Sequence, residues 1–468
     1  MSHPPQSLAE LLRQRAGEAY PLHERFLNAQ MVRILRTIGF DREYVRARGP
    51  HLFDAAGERY LDLLSGFGVF AVGRNHPRLV AALREVLEGE WASLVQMDAS
   101  LLAGILAERL VATAPPGLDK VFFTSSGAEA VESALKFARY ATGRPGVVYC
   151  ERGFHGLTLG AVSINGDDIF QEGFGPLLPG CRRIPFDDLE ALEAALRPRD
   201  VAAFVVEPIQ GHGVFVPGDD YLREAAALCR RAGTLFVADE VQTGLGRTGR
   251  FWAVEHWGVE PDMICAAKAL SGGFVPVCAV LLRGAVYDAL FSSMMRAPVH
   301  GSTFAKNSLA MAAGIATLDV LRDEGLVENA AKLGEALLDD LRALAHEFEF
   351  LHAVRGKGML QGLVFGPPRS LRLKTAWTLL EKANAGLFCQ MVTIPLFRDH
   401  RILSQTAGHG INVVKFLPPL VIDEEDRRWI VSAVRDVIAA THRVPGAVWD
   451  LGRTLAGHAL RARGKARR

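Results

Sequence analysis

Lys268 stands where an apolar run, MICAA, meets a Ser-Gly-Gly turn in the stretch PDMICAAKALSGGFVPV. A lysine at a buried strand end is unusual, because burying an ammonium is costly unless it is paired or chemically used. A Schiff base removes the charge and uses the amine as a nucleophile. The ordinary alternative is a lysine whose stem lies along a strand edge with its head in water. Asp239 ends a second apolar run, LFVAD. A carboxylate held there stays ionised if it meets a cation such as a pyridinium nitrogen, or it merely caps the next element. In VFFTSSGAEAVESALKFARY an apolar strand ends at Phe123, and Thr124, Ser125, Ser126 and Gly127 precede a helix. Free N–H groups, the helix dipole and the hydroxyls suit a phosphate there, although a plain serine N-cap is common.

One further pattern is a decoy. Gly244-Leu245-Gly246-Arg247-Thr248-Gly249 matches G-x-G-x-x-G. A dinucleotide site needs the glycines directly after the strand and a helix opening from them. Here residues intervene, and GRTGRFWAVEHWG does not read as such a helix.

The elements that must position these groups alternate. From about residue 118, KVFFTS, GVVYC, VAAFVVEP, TLFVADE, MICAAK and VPVCAVLL read as strands. Helical segments such as AEAVESALKFARYAT and DDYLREAAALCRRAG lie between several of them. Continuous apolar strands alternating with helices predict an α/β fold with a mostly parallel sheet covered on both faces. Ligands on such sheets bind at the strands' carboxyl ends, where Lys268, Asp239 and Ser126 fall. Upstream, HLFDAAGERYLDLLSG reads as two strands around a turn at Ala56-Gly57. Downstream, long helices, the strand GKGMLQGLVF and a last helix predict a smaller C-terminal α/β unit. We divide the chain into an N-terminal segment joining the small domain (1–65), a large domain (66–325), a small domain (326–445) and a basic tail (446–468).

Composition excludes several classes. The 468 residues carry a formal net charge of +1, which argues against nucleic acid or an anionic membrane surface as partner. The six cysteines are scattered, without a C-x-x-C pair or histidines at zinc spacing, so neither a disulfide framework nor a metal site is expected. No apolar run is long enough to span a bilayer. The expectation is a cytoplasmic enzyme.

Together these pieces resemble the class III (subgroup II) pyridoxal-phosphate (PLP) dependent aminotransferases. The likeness rests on TSSGAEAVESALKFAR, FHGLTLGA, VEPIQG, ADEVQTGLGRTGRFWA, AKALSGG, HGSTFAKNSLAMAAGIATLDVL and KFLPPLVI, in that order. It implies fold type I, with a large domain built on a seven-stranded type of sheet. It implies that Lys268 forms the Schiff base and that Asp239 pairs with the pyridinium nitrogen. Ser126, Gly127 and Ala128 would bind the phosphate, Phe154 and His155 would lie at the ring, and Gln242 near its phenolic oxygen. Thr303 resembles the threonine that reaches the neighbouring subunit's phosphate, which implies a homodimer with shared sites. Glu207 matches a pocket glutamate, and Phe67, Val69 and Phe70 fall where the family lines its substrate pocket. The activity implied is transfer of an amino group from a small-molecule donor to a carbonyl acceptor by ping-pong steps. An aminomutase or racemase of the same fold is the alternative.

Two positions depart from the members that resemble ornithine or acetylornithine aminotransferase. Those read FHGRT, where this chain has Leu157, and carry an arginine where this chain has Lys415. Arginine grips a carboxylate bidentately; lysine is a point charge and leucine offers nothing. The expectation is therefore an apolar or extended amine or aldehyde as one substrate, as in amine-type and hopanoid-pathway-like members. Arg398 and Arg401 are candidates for a mobile clamp, with solvated loop arginines as the favoured reading.

Overall fold

The computed structural model describes residues 7–443, 445–446 and 448–456. At its centre is a seven-stranded sheet. Its spatial order is Lys120–Thr124, Cys278–Leu282, Met263–Ala266, Leu235–Asp239, Val201–Val206, Gly146–Cys150 and Cys181–Ile184. All neighbours pair in parallel except Cys278–Leu282, which runs antiparallel to both of its partners. The physical reason for the continuous apolar runs is visible in the core. Val147 and Tyr149 enter one hydrophobic cluster while Val148 and Cys150 enter the other; Val205 and Val206 split in the same way. Alternate side chains pack on opposite faces, so a strand covered on both sides can be apolar throughout.

The helix Gly127–Thr142 packs against the central strands, and Tyr221–Ala232 packs on Leu235–Asp239. The C-terminal region forms a four-stranded sheet in the order Leu351–Lys357, Leu360–Phe365, Val413–Phe416, Gln405–Thr406, accompanied by the helices Leu326–Glu347, Leu387–His400 and Glu424–Thr441. A third sheet joins the expected strands His51–Asp54 and Arg59–Asp62 to Tyr44–Arg48 and, in parallel, to Ile402–Leu403. The N-terminal strands are thereby stitched to the C-terminal region. Among the described residues no helix is long and apolar enough to cross a membrane, and all six cysteines are free.

The stretch read as a basic tail begins otherwise. Residues 448–456 are helical. Val448, Trp449 and Leu455 are buried, and the Trp449 indole donates to the Thr441 carbonyl at 2.8 Å. Residues 457–468, with the Arg- and Lys-rich end, lie outside the described residues.

The glycine-rich stretch Gly244–Gly249 is a turn, not a nucleotide loop. It packs against the C-terminal region. The Met359 N–H donates to the Arg247 carbonyl at 2.8 Å, and the buried Arg247 guanidinium donates to the carbonyls of Met359 and Pro418. Gly249 has φ +83°, and a Cβ there would sit 2.7 Å from the Cα of Ala331. Gly249→Ala combines left-handed strain with overpacking, about 2–4 kcal/mol together. The expected result is a clearly lower midpoint in chemical denaturation; an unchanged midpoint would show that this junction is not formed.

Candidate active site

The carboxyl ends of three adjacent parallel strands deliver the chemistry. Lys268 follows Met263–Ala266 and opens the short 3-10 turn Lys268–Ser271; Asp239 ends Leu235–Asp239; Glu207 follows Val201–Val206. Lys268 is held at φ +38°, a conformation that costs energy and needs support from its surroundings. Ser271 supplies part of that support, its hydroxyl donating to the Lys268 carbonyl at 2.8 Å. All three side chains line one cavity of about 730 Å³.

Its electrostatics are tightly arranged. Asp239 is 3% exposed; its Oδ2 lies 2.6 Å from His155 Nδ1, and its Oδ1 accepts the Val241 N–H at 3.0 Å. Burial pulls the His155 pKa down, but the hydrogen bond and charge of Asp239 outweigh it and the net shift is upward. The upward shift favours the protonated imidazole beside Asp239. Burial lowers the Lys268 pKa against the opposing pull of Asp239 and Glu207, which favours the neutral amine that a base or nucleophile requires. Burial raises Glu207, with Asp239 adding to the push while His155 and two N–H donors resist it. Those donors are Phe154, 2.9 Å from Oε1, and Gly211, 2.8 Å from Oε2.

Lys415 is also buried, and its Nζ donates to the Gly211 carbonyl at 2.8 Å and to Gln242 Oε1 at 3.4 Å. Glu207 and Lys415 thus both meet Gly211, one at its N–H and one at its carbonyl, and no direct ion pair joins them among the described residues. Burial, reinforced by the charge of Lys268, pushes Lys415 down to about 7. The Gln242 amide reaches across to donate to the Phe67 carbonyl at 3.0 Å.

Of the residues expected at the site, Ser126, Gly127, Ala128, Phe154, His155, Glu207, Asp239, Gln242, Lys268, Phe67, Val69 and Lys415 line this cavity, as does Leu157. Phe70 does not. The chain turns through left-handed residues 65–68, and Phe70 ends with its ring over Gly273 and under the Arg74 guanidinium, 3.8 Å away. Thr303 is also outside it; it is exposed and lines a separate hollow with Trp91, Leu94 and Lys306. Arg398 pairs with Asp399 and Arg401 with Glu58 at 2.6 Å, so neither reaches in, and among the described residues no arginine lines the cavity.

Sequence reasoning missed Phe170, His212, Phe274 and Gln405, which complete the wall. His212 packs with Phe154 and Phe170, ring centroids 5.3 and 5.6 Å away. Burial, with Lys415 adding, pushes it down to about 4, so it acts as a neutral ring.

A phosphorylated pyridine aldehyde fits these residues. Ser126 Oγ accepts the Glu129 N–H at 3.1 Å and the Ser126 carbonyl accepts that of Ala130 at 3.0 Å. The N–H groups of Gly127 and Ala128, first of the helix, have no partner among the described residues and line the same cavity as Lys268. An anion at the helix start, an aldehyde at Lys268 and a ring nitrogen toward Asp239 would use each of these groups.

Comparison with known proteins agrees with this reading. The family model described as aminotransferase class-III matches residues 38–438. A Serratia protein named aminotransferase PigE is 34% identical over 447 residues, covering 89% of this chain and 52% of the relative, so the chain spans about half that relative's length. The putrescine aminotransferase of Pectobacterium atrosepticum is 37% identical over 404 residues, covering 84% of this chain and 81% of the relative. Among solved structures, an ornithine aminotransferase from Toxoplasma gondii superposes with a TM-score of 0.79 at 31% identity, covering 93% of this chain and 99% of the other.

Proposed function

The chain belongs to the class III aminotransferases, and from that premise we propose that it moves an amino group from an apolar or extended amine donor to a carbonyl acceptor in two half-reactions. Pyridoxal phosphate, the cofactor of this family, supplies an electron sink that makes the donor's α-proton removable. The N–H groups of Gly127 and Ala128 and the Ser126 cap would hold its phosphate. Asp239, fixed by His155 and Val241, would hold the ring nitrogen protonated. Phe154 would lie on the ring, placed by its backbone bond to Glu207. Lys268 would take a proton at Nζ from the donor carbon and return it to the cofactor side. The acceptor reverses the sequence, which gives ping-pong kinetics. A racemase would need no second substrate.

The observation that carries the substrate class is the cavity wall. Among the described residues it holds no arginine, and Phe67, Leu157, Phe170, Phe274 and a neutral His212 line it. Such a wall accepts alkyl or aryl length rather than a second carboxylate, and a similar protein is named for putrescine, a diamine. The test is a panel of amines and amino acids added singly to the cofactor-loaded enzyme. Carboxylate-free amines are expected to bleach the cofactor's absorbance band fastest. Turnover of ornithine or acetylornithine alone with 2-oxoglutarate would refute the proposal.

We also propose a homodimer in the cytoplasm. The exposed Thr303, which shares a hollow with the exposed Trp91 and is followed by the exposed Phe304, supports the first, and six unpaired cysteines support the second. A fully active monomer in sedimentation, or recovery outside the cytoplasmic fraction, would overturn them.

A further inference from the structure

Glu132 belongs to the helix Gly127–Thr142, whose first N–H groups form the phosphate cradle. It does not line the cavity. Its Oε1 accepts three hydrogen bonds from one short stretch of chain: the Thr158 hydroxyl at 2.6 Å, the Gly160 N–H at 2.8 Å and the Ala161 N–H at 3.2 Å. Thr158 is the N-cap of the helical turn Leu159–Val162, yet its own side chain caps nothing. The cap comes from Glu132 on another helix, and a carboxylate is a stronger acceptor than a hydroxyl. The approach is so close that a Cβ on Gly160 would collide with the carboxylate. Upstream, the same stretch is held by other groups. Asn165 accepts the His155 N–H at 2.7 Å and donates to the Gly156 carbonyl at 2.9 Å, and Gly156, at φ +127°, lies against Ala128. Leu157 stands between the two anchors. It lines the cavity and is 64% exposed, so the backbone on either side, rather than burial, decides where its side chain stands.

We propose that Glu132 is a positioning residue that sets the chain-length selectivity for the amine donor, by fixing Leu157 at the open edge of the cavity. The inference rests on the aminotransferase reading and deepens it by naming what reads the donor's chain. Glu132 has no part in the proton transfers, because it lies outside the cavity and its Oε1 is already shared by three donors. Its effect passes through the backbone it caps. Removing it frees the chain from Leu157 onward and leaves the upstream half in place. Phe154 keeps its bond to Glu207, and His155 keeps Asn165 and Asp239. The groups at the cofactor ring and Lys268 are therefore undisturbed, while the apolar contact offered to an extended chain is lost. Because the same helix opens on the phosphate cradle, Glu132 also fixes the distance between the anchored cofactor and Leu157, which is the length a donor chain must span.

The test follows the cofactor's absorbance band as ethylamine or hexylamine is added to the cofactor-loaded full chain. Glu132→Ala should raise the hexylamine concentration for half-maximal bleaching about tenfold and keep the limiting rate within about threefold. Ethylamine, whose chain ends near the reacting carbon, should shift by less than about threefold. Glu132→Gln keeps an acceptor oxygen and should bring hexylamine back to within about threefold of the wild type. Leu157→Ala should weaken hexylamine by itself, and adding Glu132→Ala to it should cost little more, since both act through one side chain. The cofactor's band before any amine is added confirms that each variant is folded. Equal weakening of the two amines would overturn the proposal, because Glu132 would then brace the whole site. So would an unchanged hexylamine response in Glu132→Ala, or full additivity with Leu157→Ala. Failure of the underlying function looks different: neither amine would bleach the band of the wild type, and the inference would fall with it.

Discussion

Lys268→Arg is expected to lower turnover of every amine by about 10³-fold or more, the range that a positioned acid–base group supplies. It should leave the cofactor's phosphate anchorage in place. The argument is chemical before it is structural. An arginine cannot deprotonate in a protein, so it can neither attack a carbonyl nor lift a proton. Lysine can, and here burial lowers its pKa further. The sign follows: the neutral amine is present at lower pH than for an exposed lysine, so base activity extends toward neutral pH. Arginine would also keep a charge beside Lys415, whose own pKa is already depressed by the Lys268 charge. The Gly127 and Ala128 N–H groups and the Ser126 cap are untouched by the change, so cofactor should still bind, more weakly and without a covalent link. Borohydride followed by mass spectrometry should attach cofactor to Lys268 in the wild type and to no residue in the variant. Turnover within about tenfold of the wild type would remove Lys268 from the chemistry.

Why were Lys268 and Asp239 legible, and Gln405 not? Both legible residues break a local rule, since each is a charged group at the end of a strand that is apolar on both faces. Such a conflict is visible in a few consecutive letters. Gln405 breaks no local rule. Its meaning comes from a strand register with Lys415, ten positions on, and two-residue strands carry no periodicity to read. The edge strand Cys181–Ile184 escaped notice for a related reason: its two arginines lie at a half-exposed edge and hide the apolar pattern. His212 and Phe170 reach the site only through loop packing against Phe154. Phe70, which the resemblance put in the pocket lining, turns out of the cavity that Phe67 and Val69 line. Gly68 at φ +95° turns the chain between Phe67 and Phe70. The mostly parallel sheet covered on both faces follows from the alternation of apolar strands and helices, which is why the architecture was readable where the pocket wall was not.

Asp239→Asn is expected to cost about 10²- to 10³-fold in turnover, or about 3–4 kcal/mol of barrier at 1.36 kcal/mol per tenfold. The substitution keeps the shape of a side chain that is 3% exposed, so it removes charge with little change in packing. Two consequences follow from one deletion. A ring nitrogen facing a neutral amide has no counter-charge to hold its proton, so the electron sink weakens. His155 loses the partner 2.6 Å away that lifts its pKa, and burial alone then acts on it. The histidine should therefore become neutral, and its titration should move from above the ordinary histidine value to below it. Observing both effects distinguishes an electrostatic role for Asp239 from mere bracing of the strand end, because loss of bracing would not reverse the direction of the His155 shift. His155→Gln, which leaves the Asp239 side chain in place and only loosens its aim, should cost about tenfold. If Asp239→Asn turned over at the wild-type rate with His155 still titrating high, the carboxylate would be structural and the ring nitrogen's partner would have to be sought elsewhere in the cavity.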